Sequence, residues 1–293
     1  MSKITKAVIT AAGFGSRFLP ITKTFPKELL PILEKPIIQY LVEECAEAEI
    51  EEVIIVAQEG DIKTFEDYFY SRSINIRTLM IRQNKLDRWN KVERVFELPK
   101  ITIIPQDDRI PYGNGRPLIS AKELLVNEES FVLLFGDDLF LSKESGVNQL
   151  IKFYTDNPSD DVLAVQEVPL DQVTKFGVVK PKPESENEIE TIIEKPSKEE
   201  APSNLCSYGR YIFTNKIFEY LNPQLVGKDG EVWLQDANDK LIQDGGKLLF
   251  TKLSGTWYTT GDPLNHLKAS LAVALANDEY SKDVQIFLQD LLK

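Results

Sequence analysis

Through the first 135 residues, short apolar runs alternate with stretches of helical spacing, and this alternation restricts the possible folds more than any other property of the chain. Runs at 4–11, 52–57, 101–104 and 131–135 read as strands, and 36–49, 61–70 and 118–126 read as helices. Lys6-Ala7-Val8-Ile9-Thr10-Ala11 is apolar enough to be a strand buried on both faces. Such strands separated by helices predict an α/β fold, a mainly parallel sheet flanked by helices. In the 36–49 helix, Ile38, Leu41, Val42, Cys45 and Ala46 keep the spacing of one buried stripe. After residue 161 the strands shorten (161–168, 176–180, 189–194 and 206–213) around a polar loop at 196–204, which predicts a smaller β-rich subdomain fused to the same sheet. Residues 71–100 contain lysines and arginines at 72, 77, 82, 85, 88, 91 and 94 and read as an insertion with a mixed-charge helix whose face is solvated.

The first strand runs into Ala12-Gly13-Phe14-Gly15-Ser16-Arg17, followed by Pro26-Lys27-Glu28-Leu29-Leu30-Pro31. Glycines at the carboxyl end of such a strand lie where open α/β sheets bind ligands. Gly13 and Gly15 let backbone N–H groups come close to phosphate oxygens or a base edge, and Arg17 and Lys27 add positive charge. Together they read as a pocket for a nucleoside triphosphate. The dinucleotide fingerprint fails, since Phe18 stands where its third glycine belongs, and the Gly-Lys-Ser/Thr of the P-loop is absent.

At 293 residues and 42% apolar content, the chain can bury one large core. A net charge of -12 argues against a nucleic-acid surface, so a triphosphate has to be held by local cations. Cys45 and Cys206 are far apart and outside any Cys-x-x-Cys spacing, which predicts reduced core thiols rather than a zinc site or disulfide framework. There is no signal-peptide apolar core, and no apolar run approaches the ~20 residues of a bilayer span, so a cytoplasmic protein without membrane partners is expected. With His266 alone, in a helix-like stretch over 262–277, a histidine-based triad or zinc site is excluded; this residue is expected to be packed or solvated. Val284, Phe287, Leu288, Leu291 and Leu292 form a C-terminal amphipathic stripe, expected to pack on its own domain, with subunit contact as the alternative.

The N-terminal pattern resembles that of the sugar-nucleotide pyrophosphorylases, and within them the bacterial uridylyltransferases that act on UTP and glucose 1-phosphate. The resemblance continues in order through Lys35–Tyr40, Gly113-Asn114-Gly115, Phe135-Gly136-Asp137-Asp138, Val165–Pro169, Lys175–Val178, Glu194-Lys195-Pro196, Ala201–Asn204, Gly209-Arg210-Tyr211 and Gly261-Asp262, over nearly the whole chain. It implies a Rossmann-like, glycosyltransferase-A-like nucleotidyltransferase fold in a single domain. Residues 1–160 would mainly bind nucleotide, 161–262 sugar phosphate, and 263–293 would form C-terminal helices, in a homodimer or homotetramer.

The implied reaction is Mg²⁺-dependent nucleotidyl transfer: an oxygen of the sugar 1-phosphate attacks the α-phosphorus of UTP in line and pyrophosphate leaves, forming UDP-glucose. Aligning two polyanions calls for charge neutralisation rather than proton transfer. By the resemblance, Arg17 and Lys27 bind the triphosphate, and Ala12, Gly13, Gly15 and Gly113 line the nucleotide. Asp137 is the metal ligand with Asp138 in support, since Mg²⁺ takes one or two carboxylates plus substrate phosphates. Lys195 anchors the sugar phosphate, and Gly177, Glu194 and Glu231 attend the sugar. Two departures stand out. The base-reading glutamine of the family falls on Asp108 by spacing, and a two-residue insertion would restore Gln106, whose amide both donates and accepts. Arg116 also stands at the family's usual histidine and Asn114 at its leucine. A second metal-binding aspartate of the family is replaced by Thr259; either Asp262 swings in, or Asp137, phosphates and water suffice, or metal affinity is reduced. The alternatives are a thymidylyltransferase, because uracil and thymine differ by one methyl, and a non-catalytic sugar-nucleotide-binding regulator, motivated by Thr259.

Overall fold

The computed structural model describes residues 3–224 and 226–293. Strand β1 (Lys6–Ala11) is followed by a loop of three short 3₁₀ turns and the minimal hairpin β2 (Pro31–Ile32) and β3 (Lys35–Pro36). Next come α1 (Ile37–Glu47), β4 (Glu52–Ala57), α2 (Ile62–Tyr70), α3 (Ile74–Arg82), α4 (Leu86–Glu93), β5 (Lys100–Pro105), α5 (Arg116–Leu125) and β6 (Ser130–Phe135). All seven sequence-predicted elements of this half are present, with ends shifted by up to two residues.

β1 pairs in parallel with β4 on one side and β6 on the other, and β4 in turn with β5. The chain therefore reverses direction across the sheet at β1, and the carboxyl ends of β1 and β6 open a crevice at a topological switch point. The Gly136 N–H donates to the Thr10 carbonyl at 2.9 Å, closing the two strand ends against each other at that crevice.

After β6 the chain forms β7 (Asp138–Leu141), α6 (Gly146–Asp156), β8 (Asp161–Glu167), β9 (Gly177–Pro181), β10 (Ile189–Glu194) and β11 (Leu205–Thr214). The elements α7 (Ile217–Tyr220), α8 (Leu234–Gln243), β12 (Leu248–Thr251), β13 (Thr256–Thr259), α9 (Pro263–Ala276) and α10 (Ser281–Leu291) complete it. β11 is antiparallel to β6 over Arg210–Thr214, while at Cys206 it meets β9, and β8 lies along its other edge. One long strand thus joins the parallel half to the β9–β10 hairpin, which extends the sheet past the end of β6 and walls the crevice. Among the described residues the main sheet has nine strands, and β7 and β13 form a separate antiparallel pair.

The period-two alternation of the strands divides the core into two layers. Val8, Ile54 and Leu133 face α5, α7 and α8, whereas Ile9, Ile55 and Leu134 face α1, α2 and α6. The predicted α1 stripe is buried at Ile38, Leu41, Val42 and Cys45. Both cysteines are free and buried. The 71–100 insertion forms α3 and α4, largely exposed and anchored by the buried Trp89. α10 does not bury its stripe: it packs on α9, yet Phe287 and Leu291 remain exposed. No helix among the described residues is long and apolar enough to cross a membrane.

A buried carboxylate marks the start of β8. Asp161 Oδ1 accepts the Thr214 N–H at 2.7 Å, while Oδ2 has no hydrogen-bond partner among the described residues. Burial pushes this carboxyl from an ordinary value of 3.8 up to about 7. The folded state holds the proton more tightly than the unfolded chain, so the group's contribution is full below pH ~4 and is lost as pH rises towards ~7. Melting of Asp161→Asn against pH is expected to be flatter than wild type between about pH 4 and 7; equal slopes would reject this account.

Candidate active site

Two cavities meet at the switch-point crevice. The smaller, of about 270 Å³, is lined by Ala12, Gly13, Lys27, Gln106, Tyr112 and Gly113 among others. The larger, of about 860 Å³, is lined by Arg17, Gly177, Glu194, Tyr208, Gln235 and Thr259 among others. Asn114, Phe135, Asp137, Lys195 and Trp233 line both.

The loop after β1 is held in place at several points. Gln58 Nε2 donates to the Ala12 carbonyl, and Thr22 Oγ1 donates to the Gly15 carbonyl at 2.8 Å. Lys27, at the start of a short 3₁₀ turn after Pro26, forms an ion pair with Asp137 Oδ2 and lies 3.7 Å from Glu28. Burial opposes the charge on Lys27, but Asp137 and then Glu28 hold its ammonium above the ordinary value. Burial likewise pushes Asp137 up, and the adjacent Lys27 more than offsets this, leaving its carboxyl below the usual range. Glu28 was not singled out in the sequence. It is buried, its Oε2 has no hydrogen-bond partner among the described residues, and burial raises it to about 7.

Asp137 and Asp138 play different parts. Asp137, just past β6, is partly exposed at the junction of the cavities. Asp138 begins β7, is 5% exposed and accepts the Gly209 N–H at 2.8 Å; burial and then Asp137 push it up to about 7. Its carboxyl ties β7 to β11 and also lines the larger cavity. The β7–β13 pairing brings Thr259 opposite Asp138, and the Thr260 N–H donates to the Asp137 carbonyl at 2.6 Å. Asp262 lines the larger cavity, and its carboxylate caps α9, accepting from Asn265 N at 3.0 Å and Asn265 Nδ2 at 2.6 Å. Arg17 Nη1 donates to the Gly261 carbonyl at 3.4 Å, which puts the guanidinium against this same loop. Among the described residues no cluster of three or more Asp, Glu, His or Cys side chains could hold a metal alone. One carboxylate at the junction suits a hard divalent ion that takes its remaining oxygens from phosphates and water.

Gln106 and Asp108 separate clearly. Gln106, just after β5, is 6% exposed, lines the smaller cavity, and its Nε2 has no hydrogen-bond partner among the described residues. Asp108 instead pairs with Arg116, whose Nε also donates to the Asp107 carbonyl at 2.9 Å. Gly113 has φ +138°, and a Cβ there would lie 2.2 Å from the Val232 carbonyl oxygen. That glycine lets the 112–115 loop close on Val232; the Gly115 N–H donates to Val232 O at 3.0 Å. At Gly177 the close neighbours are Gln235 and Ser207, with a Cβ coming within 2.7 Å of Gln235. Glu231, expected on the sugar side, lines the smaller cavity with Gln106.

Lys195 follows β10 and its Nζ lies 4.0 Å from the centroid of the Trp233 ring. Trp233 was also missed in the sequence; its position two residues after Glu231 was the available signal. His266 packs edge-on against Phe18, with centroids 5.9 Å apart.

The nucleotidyl transferase family model matches residues 6–275. A UTP–glucose-1-phosphate uridylyltransferase of Staphylococcus epidermidis is 37% identical over 293 residues, covering 99% of both chains. One from Bacillus subtilis is 36% identical, covering 100% of this chain and 98% of its own. A crystal structure of UDP-glucose pyrophosphorylase complexed with UDP-glucose superposes with a TM-score of 0.82 at 34% identity, covering 94% of this chain and 100% of that one. The crevice at the switch point, the cationic loop after β1 and full-length relatives of this kind lead to one conclusion: the chain belongs to the nucleotidyl transferase family.

Proposed function

We propose that the protein is a UTP–glucose-1-phosphate uridylyltransferase, forming UDP-glucose and pyrophosphate. The observation that carries this reading is the meeting of two cavities at Asp137 and Lys195, because a transfer between two phosphates needs both held on one set of charges. The base of UTP occupies the smaller cavity, where the Gln106 amide donates to one base atom and accepts from another, and its triphosphate runs past Asp137 towards Arg17 in the larger one. Glucose 1-phosphate occupies the larger, with Glu194 accepting from sugar hydroxyls near Gly177. Residues 1–160 serve mainly the nucleotide and 161–262 mainly the sugar phosphate.

Arg17 and Lys27 neutralise the triphosphate, and the guanidinium stabilises charge on departing pyrophosphate. Lys27 has three N–H donors, so its pair with Asp137 leaves donors for phosphate oxygens. Lys195 holds the sugar phosphate in line with the α-phosphorus. Asp137 would hold Mg²⁺, which when bound polarises phosphoryl oxygens and screens the two polyanions from each other. The exposed apolar residues of α10 support self-association as a homodimer or homotetramer. A cytoplasmic location fits the nucleotide substrate.

Supplied with Mg²⁺, UTP and glucose 1-phosphate, the purified protein is expected to form UDP-glucose, and to use dTTP less well. Absence of product, or preference for dTTP, would overturn the assignment. Lys195→Ala is expected to raise KM for glucose 1-phosphate by roughly 10- to 100-fold, the scale of a lost charge-assisted hydrogen bond, with a smaller change for UTP. An unchanged KM for the sugar phosphate would remove Lys195 from this role.

A further inference from the structure

Two large exposed aromatic side chains lie on the loops that wall the nucleotide cavity, Tyr112 lining it and Phe14 stacked against Tyr112, and the roles given above use neither. Phe14 is 65% exposed and Tyr112 46% exposed, yet their rings stack with centroids 6.0 Å apart and planes inclined by 22°. They come from the two loops that wall the cavity: Phe14 lies between Gly13 and Gly15, and Tyr112 lines the cavity beside Gly113.

Both loops have fixed backbones. Gly15 O accepts the Thr22 hydroxyl, and Tyr112 O accepts the Val232 N–H at 2.7 Å. Asn114 Oδ1 accepts the Leu234 N–H at 2.8 Å, tying the second loop to the start of α8. The stacked rings are therefore carried by anchored main chain at the cavity's edge, with Tyr112 in its lining. Exposure of this much aromatic surface contributes little to folding, whereas a π face beside a buried amide suits a planar ring that is read along its edge.

We propose that Phe14 and Tyr112 form an aromatic roof over the base end of the cavity, stacking on the pyrimidine whose edge Gln106 reads. This rests on the nucleotide assignment above. The roof adds affinity for the base without choosing among bases, because every base has a π face; Gln106 retains that choice.

The test is steady-state kinetics of Phe14→Ala, Tyr112→Ala, the double variant and Tyr112→Phe, with direct titration of UTP into wild type. Each alanine variant is expected to raise KM for UTP by roughly tenfold, the scale of a lost base–aromatic stack, with kcat and KM for glucose 1-phosphate within about twofold of wild type. Tyr112→Phe keeps the ring and should retain wild-type KM. The double variant should lose less than the product of the single losses, since the rings act as a pair. KM for UTP unchanged in both alanine variants, or equal rises for both substrates, would overturn the roof while leaving the uridylyltransferase standing. Wild type that binds no UTP would overturn both.

Discussion

Asp137→Asn is expected to lower turnover by about three orders of magnitude or more, the upper range for loss of one preorganised electrostatic group. The replacement keeps size and shape and removes only charge. The loss should be close to complete because the neighbouring groups are poorly placed to substitute: Glu28, beside Lys27, is buried and its carboxyl is raised to about 7. Thr259 is neutral, Asp262 is committed to the α9 cap, and Asp138 is buried against Gly209. Without divalent ion, the same variant should bind UTP at least as well as wild type, since a carboxylate facing the triphosphate has become neutral and Lys27 no longer shares its charge with it. Turnover within tenfold of wild type would remove Asp137 from the centre of the reaction.

Arg210→Met is expected to cost about 3–5 kcal/mol of stability, the scale for stranding one partner of a buried ion pair. Arg210 is fully buried; its Nε and Nη2 donate to Glu44 at 2.9 and 2.6 Å, and its remaining donors reach the Gly209 and Asp138 carbonyls at 2.6 and 3.0 Å. Burial opposes the charge, and Glu44 holds the guanidinium above its ordinary value. These bonds fasten α1 to β11 and to the start of β7, one residue beyond Asp137. For a chain of this size the midpoint of thermal unfolding should fall by roughly 10 °C. Adding Glu44→Gln should restore part of the loss, because the amide carries no charge and still offers an acceptor to the Val147 N–H. A fall of less than about 2 °C in the single variant would contradict this account of the core.

The parallel half was legible because strands such as β4 are buried on both faces and read as apolar runs, and 52–57 matches β4 to the residue; in the antiparallel half 189–194 matches β10, though that strand is only partly buried. β7 and β13 were not read. Each has four residues and gains its strand character from a partner more than a hundred positions away. α8 escaped notice because its buried face includes Gln235 and Asn238, which weaken an apolar stripe. The cationic loop could be read from Arg17 and Lys27, but not the depth of Glu28, since nothing in Pro-Lys-Glu-Leu-Leu-Pro says which charge turns inward. The spacing left Gln106 and Asp108 open because it does not contain the fold: Gln106 lines the smaller cavity, whereas Asp108 is exposed and paired with Arg116. The outward face of α10 depends on surroundings that its periodicity does not contain.

The most direct measurement is pyrophosphate release by the purified protein with Mg²⁺, given UTP alone, glucose 1-phosphate alone and both together, with Asp137→Asn as the blank. Release only with both substrates, and none in the blank, is the predicted result. Binding of UTP and glucose 1-phosphate without any pyrophosphate release would contradict the account, and would mean that replacing a carboxylate by Thr259 has left a protein that binds sugar nucleotides but does not make them.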